Sequence, residues 1–212
     1  MSKKNSRVRI KICGITDEKT AYFCAMQGVD AIGLVFYDKS PRHITLKKAI
    51  EIKNSLPPFM DIVALFMNEN KDIIKKIQDR LQPDYLQFHG QESESFCNSF
   101  QQKYIKAIAM GDDKNGDDKF NDYDSSSGIL LDSHREGQAG GSGKKFNWHS
   151  IAKLKNNIKK PLILAGGLKV ENIKEAIKTI QPYAVDLSSG VESSKGIKSQ
   201  KMIKDFVEMI NK

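Results

Sequence analysis

The 212-residue chain has no apolar stretch approaching the roughly 18 residues of a membrane span. Its basic start, Met1 to Arg7, also lacks the apolar region that a secretory leader would carry behind it. A soluble, cytoplasmic protein with no membrane partner is therefore expected. Cysteine is scarce: Cys13, Cys24 and Cys97 are an odd number with no close pairing, against both a disulfide framework and a zinc site. Reduced thiols fit the cytoplasm. Aromatic residues make up only 8% of the chain, and the lysines behind the net charge of +8 are scattered over polar helix faces instead of gathered in a block. That distribution argues against a nucleic-acid partner.

At 39% hydrophobic, the chain can bury one substantial core. A single parallel α/β barrel is typically only slightly longer, at ~250 residues. Short β-rich runs occur at Val8 to Cys13, Ala31 to Phe36, Ile62 to Phe66, Tyr85 to Phe88, Tyr104 to Ala109, Gly128 to Leu131, Leu162 to Ala165 and Ala184 to Ser188. Several are almost wholly apolar, as strands covered on both faces require. Helical stripes alternate with them, clearest in Val170, Ile173, Ala176, Ile177 and Ile180 and in Met202, Ile203, Phe206, Val207 and Ile210. Asn70 to Leu81 repeats the pattern, and Thr16 is expected to cap a helix that ends at Gly28. Strand and helix in regular alternation predict an α/β fold, a parallel (β/α)8 TIM barrel, with residues 1–212 forming one domain. Two segments are weak: Gly111 to Asp124, a poorly formed fifth helix, and glycine-rich His134 to Lys145, a candidate lid.

In such a barrel the strand ends and following loops form the active face. Those positions hold Cys13, Arg42, Asn68, Gln87 with His89, Met110, Asp132, Gly166 with Gly167, and Ser188 to Gly190. Cys13 reads either as a small buried hydrophobe or as a reactive thiol where a strand opens into a loop. Cys24 and Cys97 fall inside helical patterns and read as structural. Asp132 reads as a loop cap or a proton donor; across a barrel mouth from a thiol it completes an acid–base pair. Gly166-Gly167 and Ser188-Ser189-Gly190 follow strands seven and eight, where this fold holds phosphate on backbone N–H groups. Arg42 is a solvated loop arginine or a two-pronged carboxylate clamp. His89 is a candidate site residue or a histidine satisfied by its neighbours.

Taken in order, Lys11-Ile12-Cys13-Gly14-Ile15-Thr16, Gly33-Leu34-Val35-Phe36 with Ser40-Pro41-Arg42, Leu86-Gln87-Phe88-His89-Gly90, Leu131-Asp132-Ser133, the Gly140 to Trp148 run, Ala165-Gly166-Gly167-Leu168 with Glu171-Asn172, and Asp186 to Glu192 form a specific set. The chain resembles the phosphoribosylanthranilate isomerases of tryptophan biosynthesis from residue 9 to its last helix. That resemblance implies an Amadori rearrangement of N-(5-phosphoribosyl)anthranilate, with no cofactor and no metal. It implies Cys13 as general base, Asp132 as general acid, Arg42 on the anthranilate carboxylate, Gln87 and His89 at the substrate, and Gly166, Gly167, Ser188, Ser189 and Gly190 on the phosphate. It leaves monomer or homodimer open.

A proton relay of this kind needs thiolate at Cys13, and Lys11, two residues earlier on the same side of the strand, is a candidate to favour it. Two departures stand out: Phe88 replaces the usual leucine, and Ser193-Ser194-Lys195-Gly196 replaces a turn that often carries proline. The related aminoaldose isomerase of histidine biosynthesis has a pair of aspartates at its barrel mouth, and Cys13 speaks against it. A non-catalytic phosphate- or nucleic-acid-binding barrel would have no reason to hold both Cys13 and Asp132 at strand ends.

Overall fold

The computed structural model describes residues 7–110, 119–132, 151 and 157–211. Eight strands pair in chain order into a closed parallel barrel: β1 (Arg9–Cys13), β2 (Ala31–Val35), β3 (Asp61–Phe66), β4 (Tyr85–Phe88), β5 (Tyr104–Ala109), β6 (Gly128–Asp132), β7 (Leu162–Leu164) and β8 (Ala184–Leu187). Closure comes from β8 against β1, with Lys11 opposite Asp186. The helices among the described residues are α1 (Glu18–Met26), α2 (Leu46–Asn54), α3 (Lys71–Leu81), α4 (Glu94–Asn98), α5 (Ile173–Ile180) and α6 (Gln200–Asn211). A small antiparallel ribbon, β9 (Glu192–Ser194) with β10 (Ile197–Lys198), follows the last barrel strand.

Side-chain alternation along each strand divides the core in two. Outward residues such as Ile10, Ile12, Leu34, Phe66 and Phe88 pack with helix residues into the main apolar cluster. Inward residues Val63, Ile105, Ala107, Leu130, Ile163 and Ala184 fill the barrel itself. Above them Cys13, Val35 and Leu65 form a small separate cluster beneath the mouth. Phe88 sits on the outer face, wholly buried, with ring centroids 5.7 Å from Phe100, 5.8 Å from Tyr104 and 6.1 Å from Phe96. The larger ring thus fills a gap under α4.

All eight sequence-derived strands are present, each within one residue at either end. The helix starts differ more. Asp17, not Thr16, caps α1: its carboxylate accepts from the Thr20 backbone N–H at 2.8 Å, and its charge suits the positive end of the helix. The stripe beginning at Val170 becomes helical only at Ile173, because Asn172 is spent on the preceding turn. Within the weak fifth return, Lys119–Asp122 forms a short 3-10 turn. Residues 111–118 of that return and the candidate lid His134 to Lys145 lie outside the described residues, as does the Gly140 to Trp148 run.

Candidate active site

Cys13 ends β1 and Asp132 ends β6, and both line one cavity of about 130 Å³ at the C-terminal mouth of the barrel. Arg42, Gln87, His89, Gly166, Gly167 and Ser188 to Gly190 line it too, whereas Asn68 and Met110, the other strand-end positions, do not. Strand alternation aims Lys11 inward beside Cys13, while Gly33 of β2 lies opposite Cys13. A Cβ on Gly33 would meet Cys13 Sγ at 2.8 Å and Lys11 Nζ at 3.1 Å. The missing side chain leaves room for the thiol and the ammonium together.

Lys11 Nζ donates to Asp186 Oδ2 at 2.9 Å and shares with the Cys13 sulfur the open space over Gly33. Burial would strip the proton from Lys11, but Asp186 and Cys13 outweigh it and hold the ammonium charged. Burial pushes the Cys13 thiol up from its ordinary value; Lys11 pulls against that shift and Asp186 adds to it. The free site therefore does not favour thiolate as expected from the sequence, because the strand end is buried. Burial also pushes the Asp186 carboxyl up, against the pull of Lys11. Its second oxygen, Oδ1, is buried without a partner among the described residues.

Across the mouth, His89 Nε2 lies 3.3 Å from Asp132 Oδ2, and Gln87 Nε2 lies 3.1 Å from His89 Nδ1. The imidazole presents Nδ1 to the Gln87 amide and Nε2 to the Asp132 carboxylate. His89 is thus satisfied by its neighbours while still lining the cavity. Gln87 is wholly buried; its Nε2 meets His89, and its Oε1 has no hydrogen-bond partner among the described residues.

The two glycine-bearing turns meet at a close approach. Gly166 and Gly167 have φ of 82° and 64°, left-handed values that favour glycine. A Cβ on Gly190 would stand 1.9 Å from the Leu168 carbonyl oxygen, so only glycine lets the turn after β8 lie against the turn after β7. Asn172 fastens the first turn, accepting from Lys169 N at 2.8 Å and donating to Gly167 O at 2.9 Å.

Arg42 is 8% exposed and already engaged. Its Nε and Nη2 donate to Glu192 at 2.6 and 2.8 Å, and Lys198 Nζ reaches the same carboxylate at 2.6 Å. Burial alone would raise Glu192, but the bonds from Arg42 and Lys198 hold its carboxyl down to about 2. The side edge of the guanidinium is taken; Nη1 has no partner among the described residues.

A second buried pair fixes the neighbouring loops. Lys106 Nζ lies 2.9 Å from Glu92 Oε2, and Glu92 accepts from Asn68 N at 2.7 Å and Gly90 N at 2.9 Å. One carboxylate thereby ties the loop after β3 to the loop that carries His89. Sequence reasoning assigned no role to Asp186, Glu192, Lys198, Glu92 or Lys106. The available signal was a charged residue inside an apolar strand, as at Lys106 and Asp186, which must find a partner indoors. Among the described residues, no group of three or more His, Cys, Asp or Glu is placed to hold a metal ion.

Fold and cavity together define a barrel enzyme with a thiol, a carboxylate and glycine-rich turns at its mouth. Residues 10–209 match the family model for N-(5′-phosphoribosyl)anthranilate (PRA) isomerase. The chain is 46% identical to the N-(5′-phosphoribosyl)anthranilate isomerase of Pseudomonas paraeruginosa over 206 residues, 96% of this chain and 95% of that protein. It superimposes on the phosphoribosyl anthranilate isomerase of Thermotoga maritima with a TM-score of 0.88 at 36% identity, over 96% of this chain and 98% of that one. A phosphoribosyl anthranilate isomerase solved with reduced 1-(o-carboxyphenylamino)-1-deoxyribulose 5-phosphate matches at a TM-score of 0.85 and 35% identity, again over 96% and 98%. The chain belongs to the N-(5′-phosphoribosyl)anthranilate isomerase family.

Proposed function

We propose that this protein converts N-(5-phosphoribosyl)anthranilate to 1-(2-carboxyphenylamino)-1-deoxyribulose 5-phosphate, the Amadori step of tryptophan biosynthesis, in the cytoplasm, with residues 1–212 acting as one catalytic domain. The observation that carries this reading is the shared cavity wall of Cys13 and Asp132, flanked by the turns at Gly166-Gly167 and Ser188-Ser189-Gly190. Asp132, as the acid, gives its proton to the ribose ring oxygen, and the C1–O bond breaks to leave an iminium. The iminium acidifies the proton on sugar C2. Cys13 in its thiolate form takes that proton, and the C–H electron pair becomes the double bond of an enaminol, which tautomerises to the ketone. The phosphate rests on the backbone N–H groups of the two glycine-bearing turns that line the cavity. Arg42 offers its free edge to the anthranilate carboxylate. His89, with Gln87 behind it, keeps Asp132 oriented toward the substrate.

The test is a fluorescence assay for turnover of the anthranilate substrate by the purified protein, run beside the aminoaldose substrate of histidine biosynthesis. Conversion of the first and not the second is expected. No conversion of the first would end the proposal.

A further inference from the structure

We propose that Lys11 and Asp186 act on Cys13 as an opposed pair of positioning residues, Lys11 favouring the thiolate and Asp186 both anchoring Lys11 and restraining its effect. The inference rests on Cys13 being the base. Its geometric footing is independent of titration: Lys11 and Asp186 are register partners across the strands that close the barrel. The ammonium is held at 2.9 Å by Asp186, and Sγ and Nζ crowd the same open space over Gly33.

Lys11 and Asp186 are 4% and 7% exposed, so little water screens either charge from the sulfur. The Asp186 Oδ1 atom accepts no hydrogen bond from the described residues, so no second donor there diffuses its charge. Burial sets the Cys13 thiol high, and the two neighbours then act in opposite senses upon it. Lys198 of β10 also favours the thiolate from the far side, although Glu192 holds it at 2.6 Å. Among the described residues, His89, Asp132, Arg42 and Tyr37 are the further charged or titratable side chains that line the mouth. None of them is altered in the variants that follow, so changes in the sulfur report on the pair.

The experiment is alkylation of the full-length protein by iodoacetamide across a pH series, with the modified cysteine located by mass spectrometry. Cys24 and Cys97 are buried and pushed up to about 12, so they contribute a slow background that Cys13→Ser measures directly. Lys11→Met is expected to raise the alkylation midpoint of Cys13 by about 1–3 pH units, the usual effect of losing an opposite charge at this range. Asp186→Asn is expected to lower it by about one unit or more, and the alkaline limb of kcat/KM in each variant should move with it. A Lys11→Met/Asp186→Asn double variant leaves no unpaired buried charge and should fall between the two single variants.

A purely structural role would wet the cavity and send both single variants the same way, toward an ordinary thiol. Such parallel shifts, or no shift in either, would overturn the proposal. A double variant outside the interval would do the same. Unchanged turnover in Cys13→Ser would instead remove the base assignment, while opposed alkylation shifts would still report the charge pair, so the two failures are distinguishable.

Discussion

Arg42 and Glu192, 150 residues apart in the chain, meet through two parallel hydrogen bonds of 2.6 and 2.8 Å. The loop after β2 is thereby tied to the ribbon that follows β8. Gly14 permits this, because a Cβ there would strike Arg42 Cδ at 2.4 Å. The guanidinium is fixed in plane before any ligand arrives, which spares the entropy of ordering it.

Glu192→Gln should therefore act on binding more than on chemistry. One strong acceptor for Arg42 and Lys198 is weakened, both cations lose their common anchor, and the free edge of Arg42 no longer has a fixed direction. KM for the anthranilate substrate is expected to rise about tenfold, equivalent to ~1.4 kcal/mol, with kcat changed much less. Steady-state kinetics decide it; an unchanged KM with a collapsed kcat would assign Glu192 to the chemical step.

The same carboxylate makes a signed contribution to acid stability. Its folded pKa is depressed to about 2 from an ordinary value of 4.5. Stability from the Glu192 bonds is then complete above the unfolded value and is lost as pH falls through the folded one. Between about pH 5 and pH 2 the wild type should lose more unfolding free energy than Glu192→Gln, measured by urea denaturation at each pH. Parallel losses in the two proteins would count against this account.

In the proposed relay, Cys13→Ser and Asp132→Asn each remove one proton transfer while keeping the shape of the site. Each should lower kcat by about 10²–10⁴-fold with little change in affinity for the reduced product analogue. Rapid-mixing fluorescence and a binding titration together separate these effects. Near-wild-type kcat in either variant would exclude that residue from the proton relay.

Gly190→Ala tests the contact between the two glycine-bearing turns. The added methyl must displace the Leu168 carbonyl oxygen, since 1.9 Å is far inside van der Waals contact. A destabilisation of about 1–3 kcal/mol is expected, with weakened binding of inorganic phosphate as a competitive inhibitor. Calorimetry and inhibition constants read the two consequences. Full stability with unaltered inhibition would mean that the turns do not depend on this approach.

Strand and helix order was legible because several barrel strands are apolar runs buried on both faces, as Ile62 to Phe66 illustrates. The placement of Cys13, His89 and Asp132 at one mouth was legible for the same reason, since they mark where those runs stop. What the sequence hid is charge pairing across the fold. Arg42 looked like a loop cation with its fork free, and only the three-dimensional return of β9 reveals Glu192 upon it. Lys11 suggested a thiolate partner, yet its bond to Asp186 depends on the barrel closing between β1 and β8. Cap identity failed more locally: Thr16 and Asp17 are both good caps, and backbone geometry chose the one whose carboxylate reaches Thr20.

Glu92 is shared: Asn68, Gly90 and Lys106 all depend on its carboxylate. Anyone transplanting the β4 loop into another scaffold to borrow its imidazole must carry that acid, its lysine and the adjoining β3 turn as one cassette. A graft that leaves one partner behind strands an ion indoors, at a cost of about 3–5 kcal/mol.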